Sequence, residues 1–236
     1  MSDKHLSNLY SRFNNPSIFE VSQRESVKYL LRKVKLKAKS KALSISVGDG
    51  TWDYLLMKKL SLSQVVATDI VDNPVLESDA EKLNELARWK FVKIKAEKRL
   101  PFKDSEFDLI WHFDVIEHVE KPFMFLSEQY RLLKPGGYLL FNTPNLLRLT
   151  NMMKLFVGRL KFPEKIGYTE EIGDYIHIQE YTEWNLENLI KEVGFSNYVI
   201  DHSFLGLHFM SVKFSDRPKS RLGKTLSQYL TVLAQK

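Results

Sequence analysis

The chain of 236 residues contains no cysteine. That absence excludes disulfide scaffolds, Cys-based zinc sites, Cys-ligated iron–sulfur clusters and thiol catalysis. Long apolar runs are missing as well, and nothing approaches the ~20 consecutive apolar residues that span a bilayer. The first twenty residues, MSDKHLSNLYSRFNNPSIFE, hold no apolar stretch of signal-peptide length, so a cytoplasmic protein is the expectation. Neither sign of charge dominates. Lys and Arg number 35 against 29 Asp and Glu, a balance of +6 that fits an anionic substrate, a membrane surface or no partner in particular. The length is that of one domain with a sizeable core. There is no internal repeat and no low-complexity tract.

What is present is a rhythm. A polar and basic N-terminal segment, residues 1–41, carries Val27, Leu30, Leu31 and Val34 at helical spacing. Short apolar runs then alternate with helix-like stretches. The runs are 42–47, 65–70, 91–96, 107–112 and 138–143; the helices are Trp52–Leu60, Leu76–Trp89 and Val119–Leu133. This alternation predicts βαβ units around a parallel sheet. The run FVKIKA alternates lysine with apolar residues and belongs near an edge. Gly136-Gly137 stops a helix before the fifth run. An excursion follows over 145–180. A helix is predicted over Glu183–Val193, with Thr182 as N-cap and Gly194 as stop. Strands are predicted at 196–201 and 208–214. The main domain is read as 42–217, followed by a basic amphipathic tail, 218–236.

The first run ends in Gly48-Asp49-Gly50-Thr51 and enters a helix. Glycines there let a backbone approach a ligand closely, and open α/β sheets bind ligands beyond the carboxyl ends of their strands. The position that a dinucleotide fingerprint gives to its third glycine is Asp53, whose carboxylate would repel a pyrophosphate, and no GKS or GKT follows. The turn therefore suits a nucleoside without phosphates. Asp69 ends the second run, 69 − 48 = 21 residues beyond Gly48, where a carboxylate can accept from ribose hydroxyls. Taken singly, the glycines also read as a plain tight turn, and Asp69 as a capping residue.

SVGDGTWD, VVATDI, AEKRLPFKDSEFDLIWHFDVIEHVEKP, LKPGGYLLFNTPN and HIQEYTEWNLENLIKEVGF together resemble the class I S-adenosylmethionine-dependent methyltransferases, in the small-molecule, type 11-like group. The resemblance spans about residues 40–200. It implies a Rossmann-like, doubly wound α/β sheet of seven strands, mostly parallel with an antiparallel strand near the C-terminus, and helices on both faces. It implies S-adenosyl-L-methionine as cofactor. Gly48 and Gly50, with Ser46 and Asp49, would pass the methionine part. Asp69 and Ile70 would hold the ribose, and Ala96 and Glu97 would lie by the adenine. His112, Phe113 and Asp114 would border the sulfonium. Three positions depart from the pattern. Ser44 stands where an acid is usual, Ser46 where a third glycine is usual, and Lys95 where an acid usually precedes Ala96.

Methyl transfer needs alignment and a base for the acceptor's proton. The residues suited to that task are His118, His177 and Asp114, with His112 and Glu117 beside them. Asp114-Val-Ile-Glu117-His118 could also coordinate a divalent ion, as a similar segment does in related quinone O-methyltransferases. A helix cap with a first-turn acid explains Asp114 and Glu117 equally simply and is the favoured reading, so no metal is assigned. His177 reads equally as an acceptor contact or as a surface tie.

Met152, Met153, Leu155, Phe156, Leu160 and Phe162, interleaved with Lys154, Arg159 and Lys161, make a lid, a membrane-facing helix or a packed subdomain. In the tail, Leu222, Leu226, Leu230 and Leu233 form one helical stripe that packs on the sheet, pairs two copies as a homodimer, or touches anionic lipid. The expected activity is methyl transfer to a small acceptor, a hydroxyl of a sugar or of a lipid-linked or envelope metabolite, anionic acceptors included. Peripheral contact would be at the inner face of the membrane. The alternative is a non-catalytic module of the same fold, motivated by Ser44, Ser46 and Lys95. A nucleic-acid substrate is disfavoured, because the strand end reads His112-Phe113-Asp114 and lacks the proline pair of amino-directed enzymes.

Overall fold

The structure, a computed structural model, describes residues 16–95, 98–160, 177–207 and 210–236. Helix α1 (Ile18–Leu31) begins with a reciprocal cap. Ser17 Oγ accepts from the Glu20 N–H at 3.4 Å, and the Glu20 carboxylate accepts from the Ser17 N–H at 2.7 Å. The stripe expected from the sequence is its buried face: Val27 and Leu30 are fully buried.

The βαβ units then follow as β1 (Ser40–Ile45), α2 (Thr51–Lys59), β2 (Leu62–Asp69), α3 (Glu77–Leu86), β3 (Arg88–Lys93) and β4 (Phe107–Phe113). A 3-10 turn (Ile116–His118) leads to α4 (Pro122–Leu132) and β5 (Leu133–Pro144). Beyond these lie α5 (Leu149–Phe156), α6 (Glu183–Val193), β6 (Asn197–Ser203), β7 (Leu205–Leu207), β8 (Val212–Ser215), α7 (Arg221–Thr225) and β9 (Tyr229–Gln235).

Seven strands form one sheet in the order β3-β2-β1-β4-β5-β9-β6. β3, the lysine-bearing strand, is at the edge. The first five strands pair in parallel, and β9 runs antiparallel to both β5 and β6. Both faces are covered, so the fold is doubly wound. Side chains of α1, α2 and α3 pack with Ala42, Val65, Leu109 and Trp111 on one face. Those of α4 and α6 pack with Leu43, Val66, Ile110 and Phe141 on the other. The α6 cap is the expected one: Thr182 Oγ1 accepts from the Asn185 N–H at 3.1 Å, and Gly194 ends the helix at φ +112°.

Two C-terminal readings change. The stretch read as an amphipathic tail supplies β9, an interior strand. Leu230 and Leu233, taken as one helical stripe, point to opposite faces of the sheet, while Leu222 on α7 is 69% exposed. The local run Tyr-Leu-Thr-Val-Leu-Ala-Gln is short and partly β-branched, and neighbours on both sides satisfy its backbone. Residues 212–215 pair with β7 in a small separate hairpin and do not join the main sheet.

Candidate functional site

The parallel strands β1, β2, β4 and β5 end on one edge, and the glycine turn joins the end of β1 to α2. Ser46, Gly48 and Gly50 all have left-handed φ, at 57°, 55° and 82°. Ser46 thus keeps the conformation that glycine adopts without strain, and its side chain is exposed. A Cβ on Gly48 would meet nothing within 4 Å, so that backbone faces open space. The turn is held from below, with Val47 N–H donating to the Thr68 carbonyl at 3.0 Å and Gly50 N–H to the Val47 carbonyl at 3.1 Å. Asp49 Oδ1 caps it by accepting from the Thr51 N–H at 3.1 Å.

Asp69, at the end of β2, lies beside the turn. It accepts from the N–H groups of Ile70 at 2.7 Å and Gly48 at 3.3 Å. Its position therefore fixes the glycine backbone, and Ile70 next to it is 44% exposed. Ala96 and Glu97 lie outside the described residues. Trp52, on the first turn of α2, stacks on Phe113 with centroids 4.1 Å apart and planes 15° apart. Asp53, which on a sequence reading faces the mouth of the turn, instead points inward and is fully buried.

His112 needs a correction. Strand alternation puts Phe113 on one face and the His112 ring on the other, stacked on Phe141 at 4.9 Å and edge-on to Phe125 at 5.1 Å. The ring is fully buried, and neither nitrogen has a hydrogen-bond partner among the described residues. Burial pushes its pKa down to about 3. Only the His112 backbone can border a ligand at this edge.

One residue further, Asp114 has a left-handed φ of 53°, and its N–H donates to Asn142 Oδ1 at 2.8 Å. Such conformations in non-glycine residues concentrate at functional sites. Its side chain is open to solvent, yet enough protein surrounds it to push the carboxyl up to about 6, with His177 opposing the shift. Glu117, in the 3-10 turn, is fully buried. Its Oε2 accepts from Thr143 Oγ1 at 3.0 Å, and its Oε1 has no partner among the described residues. Burial, then Asp114, push its carboxyl well up.

The segment 177–181 closes this side. Ile178 N–H donates to the Glu117 carbonyl at 2.8 Å. His177 and His118 meet at right angles, with centroids 5.0 Å apart. His177 Nδ1 lies 2.9 Å from Glu180 Oε1, and Glu180 pairs with Arg148 and accepts from Asn151 Nδ2 at 3.1 Å. Glu180 therefore orients the His177 ring, which packs against His118. Glu117, His118 and His177 each offer one ligand atom, and these atoms lie within 4.8 Å of one another. Asp114 is not in that group.

Sequence reasoning missed Glu180, Arg148, Asn142 and Tyr229. The first could have been found from the three-residue spacing His177–Glu180. Tyr229 arrives from β9, and burial followed by the carboxylates of Asp114 and Glu117 pushes its phenol pKa up.

Among known proteins, residues 43–141 match the family described as "Methyltransferase domain". The chain is 27% identical over 215 residues to a demethylmenaquinone methyltransferase of Staphylococcus saprophyticus, covering 86% of this chain and 89% of that one. It is 24% identical over 227 residues to one of Staphylococcus aureus, covering 92% and 93%. A solved SAM-dependent methyltransferase from Aquifex aeolicus superposes with a TM-score of 0.57 at 19% identity, over 97% of this chain and 98% of that one, and so shares the fold. A glycine turn and an acid at the ends of adjacent strands, the sheet order β3-β2-β1-β4-β5-β9-β6 and these matches together support a class I S-adenosylmethionine-dependent methyltransferase.

Proposed function

We propose that the chain methylates a hydroxyl of a small lipid-linked or sugar-type metabolite, with Asp114 as the proton acceptor. The carrying observation is an open carboxylate on a strained residue at the end of β4, one strand from the glycine turn and facing His177. Bound S-adenosyl-L-methionine would supply a methyl on a sulfonium that is its own leaving group. The chain's part is then to hold, align and deprotonate. In this reading Ser46, Gly48, Asp49 and Gly50 bind the methionine end. Asp69 and Ile70 take the ribose, Phe113 and the His112 backbone flank the methyl, and Ala96 and Glu97 complete the adenine side by resemblance. Asp114 would take the proton of an acceptor hydroxyl held beside it, and His118 and His177 would set the field around that carboxylate.

Glu117, His118 and His177 would suit a divalent ion, since one buried carboxylate oxygen lacks a partner and two imidazoles complete the donors. Such an ion would polarise an acceptor oxygen; the proton transfer described above relies on Asp114.

Relatives named demethylmenaquinone methyltransferase make a quinone, supplied in its reduced, hydroxyl-bearing form, the first acceptor class to assay. Exposed apolar side chains favour a lipid-linked acceptor. Leu155, Phe156 and Val157 are 56%, 94% and 64% exposed at the end of α5, and Leu222 on α7 is 69% exposed. Leu149 N–H joins these elements by donating to the Leu226 carbonyl at 3.0 Å. Residues 142–160 and 217–236 contain no Asp or Glu, so this face fits anionic headgroups at a membrane surface.

The test is labelled methyl transfer to a panel of quinones, lipid-linked sugars and free sugars. Asp114→Asn should keep cofactor affinity and lower kcat by about 100-fold. An unchanged kcat would remove Asp114 from the reaction. The second reading, a binding module without chemistry, draws on Ser44 and Ser46; it would be supported if cofactor bound tightly and no acceptor were methylated.

A further inference from the structure

Asp53 has no part in the scheme above, yet its surroundings are highly specific. It lies on the first turn of α2, three residues after Gly50, and is fully buried. Its Oδ1 accepts from Ser44 Oγ on β1 at 2.6 Å and from Trp111 Nε1 on β4 at 2.9 Å. Its Oδ2 accepts from Trp89 Nε1 on β3 at 2.8 Å. One carboxylate therefore ties the helix behind the glycine turn to three strands. Burying a carboxylate is costly even with three donors, and an apolar side chain would hold the helix to the sheet more cheaply. Burial indeed pushes the Asp53 carboxyl up to about 6 against the pull of those donors.

The atoms it fixes belong to both halves of the site. Ser44 is two residues before Ser46, where the turn begins, and its carbonyl accepts from Thr68 Oγ1 at 2.9 Å, next to Asp69. Trp111 is two residues before Phe113 and three before Asp114. Trp52, adjacent to Asp53, is the ring stacked on Phe113. Hydrogen bonds have fixed lengths and directions, so this arrangement sets the distance between the glycine turn and the end of β4 in a way that apolar packing would not.

We infer that Asp53 is a positioning residue for the cofactor turn, and that Ser44 and Asp53 act as one unit in which the helix delivers to β1 the carboxylate that β1 itself lacks. Serine at position 44 is what permits it. An acid there would place a second carboxylate within hydrogen-bond distance of the first, in a site with no cation among the partners above. The inference rests on the reading of the glycine turn as the cofactor site.

The experiment compares S-adenosyl-L-methionine affinity by calorimetry, with Tm measured in parallel, for the wild type, Ser44→Asp, Asp53→Ser and the transposed Ser44→Asp/Asp53→Ser double variant. Each single change should weaken binding by about tenfold or more, and the double variant should return to within about threefold of the wild type. Single variants that bind like the wild type, or a double variant as weak as the product of the two, would overturn the inference. If Ser44→Asp does not fold, Ser44→Ala and Ser44→Thr take its place, with the hydroxyl of Thr restoring what Ala loses; equal affinities in both would count against it. Indole N–H resonances give an independent readout in the wild type. Those of Trp89 and Trp111 should move when cofactor is added, and silence in both would contradict the coupling. Failure of the site reading looks different. Asp69→Ala would then leave cofactor binding intact, while the reciprocal dependence of positions 44 and 53 would still show in the Tm of the unliganded proteins.

Discussion

Replacing His112 with leucine should remove an acid sensitivity from the fold. The imidazole is fully buried between Phe141 and Phe125, with both nitrogens unpartnered among the described residues, and burial lowers its pKa from an ordinary 6.5 to about 3. The folded state thus takes up the proton later than the unfolded chain. Its contribution to stability is intact above pH 6.5 and is lost as pH falls toward 3. The whole span corresponds to about 5 kcal/mol, of which about 2 kcal/mol is gone by pH 5. His112→Leu keeps an apolar side chain of similar size and has no proton to gain. Its stability relative to the wild type should therefore rise by about 2 kcal/mol between pH 7 and pH 5. Lost ring stacking shifts the comparison by a constant and leaves the slope alone. Asp53, Asp114 and Glu117, whose carboxyls are pushed up, act in the opposite sense, but they are present in both proteins and cancel in the difference. Urea unfolding followed by circular dichroism at pH 7, 6 and 5 measures this. A difference that stays flat across the three values would refute the placement of the ring.

Asp69→Ala removes the carboxylate beside the glycine turn and should weaken S-adenosyl-L-methionine binding by about 10- to 100-fold in calorimetry; unchanged binding would defeat the ribose assignment. Exchanging Phe156 and Val157 for serine should reduce sedimentation with vesicles containing anionic lipid while leaving thermal stability unchanged, because both side chains are largely exposed. Equal sedimentation would take the membrane away from this face. Gly206→Ala should cost about 1–3 kcal/mol in Tm-linked stability, since its Cβ would lie 2.2 Å from the Val212 carbonyl oxygen in the β7–β8 hairpin. A neutral result would mean that the hairpin is not packed this way.

The central sheet was legible because each of its first five strands is a local apolar run flanked by its own helix. The last interior strand was not. Leu222, Leu226, Leu230 and Leu233 fall at spacings close to four, which local periodicity assigns to a helix, whereas the pairing that makes β9 comes from β5 and β6, far away in sequence. His112 shows a second limit. Alternation along β4 separates it from Trp111 and Phe113, but nothing local says which face meets the ligand. Asp53 shows a third: its partners are 9, 36 and 58 residues away, so the sequence presents a carboxylate at a helix start and conceals the donors that turn it inward. The turn residues Gly48 and Gly50 and the acids Asp69 and Asp114 could be placed at the ends of β1, β2 and β4 from the sequence because motif and strand end coincide. Ala96, Glu97 and residues 161–176 of the excursion fall outside the described residues.

The net charge of +6 conceals a separation that bears on the acceptor. Asp114, Glu117 and Glu180 converge at the end of β4, and of these Glu180 is paired with Arg148. The carboxyls of Asp114 and Glu117 are both held up by burial, and Asp114 raises that of Glu117 further; a third anion brought among them would add to the same repulsion. A sulfonium, by contrast, is drawn to that field, and a neutral hydroxyl can give up its proton into it. An acceptor carrying a negative charge would therefore have to keep that charge away from its reacting end. The acid-free segments 142–160 and 217–236 offer such a place, since they carry Lys154, Arg159, Lys219, Arg221 and Lys224 together with exposed Phe156 and Leu222. In the proposed reading, a molecule with a neutral hydroxyl head and an apolar or anionic remainder fits both ends of this arrangement, whereas a small, compact anion fits the basic end alone.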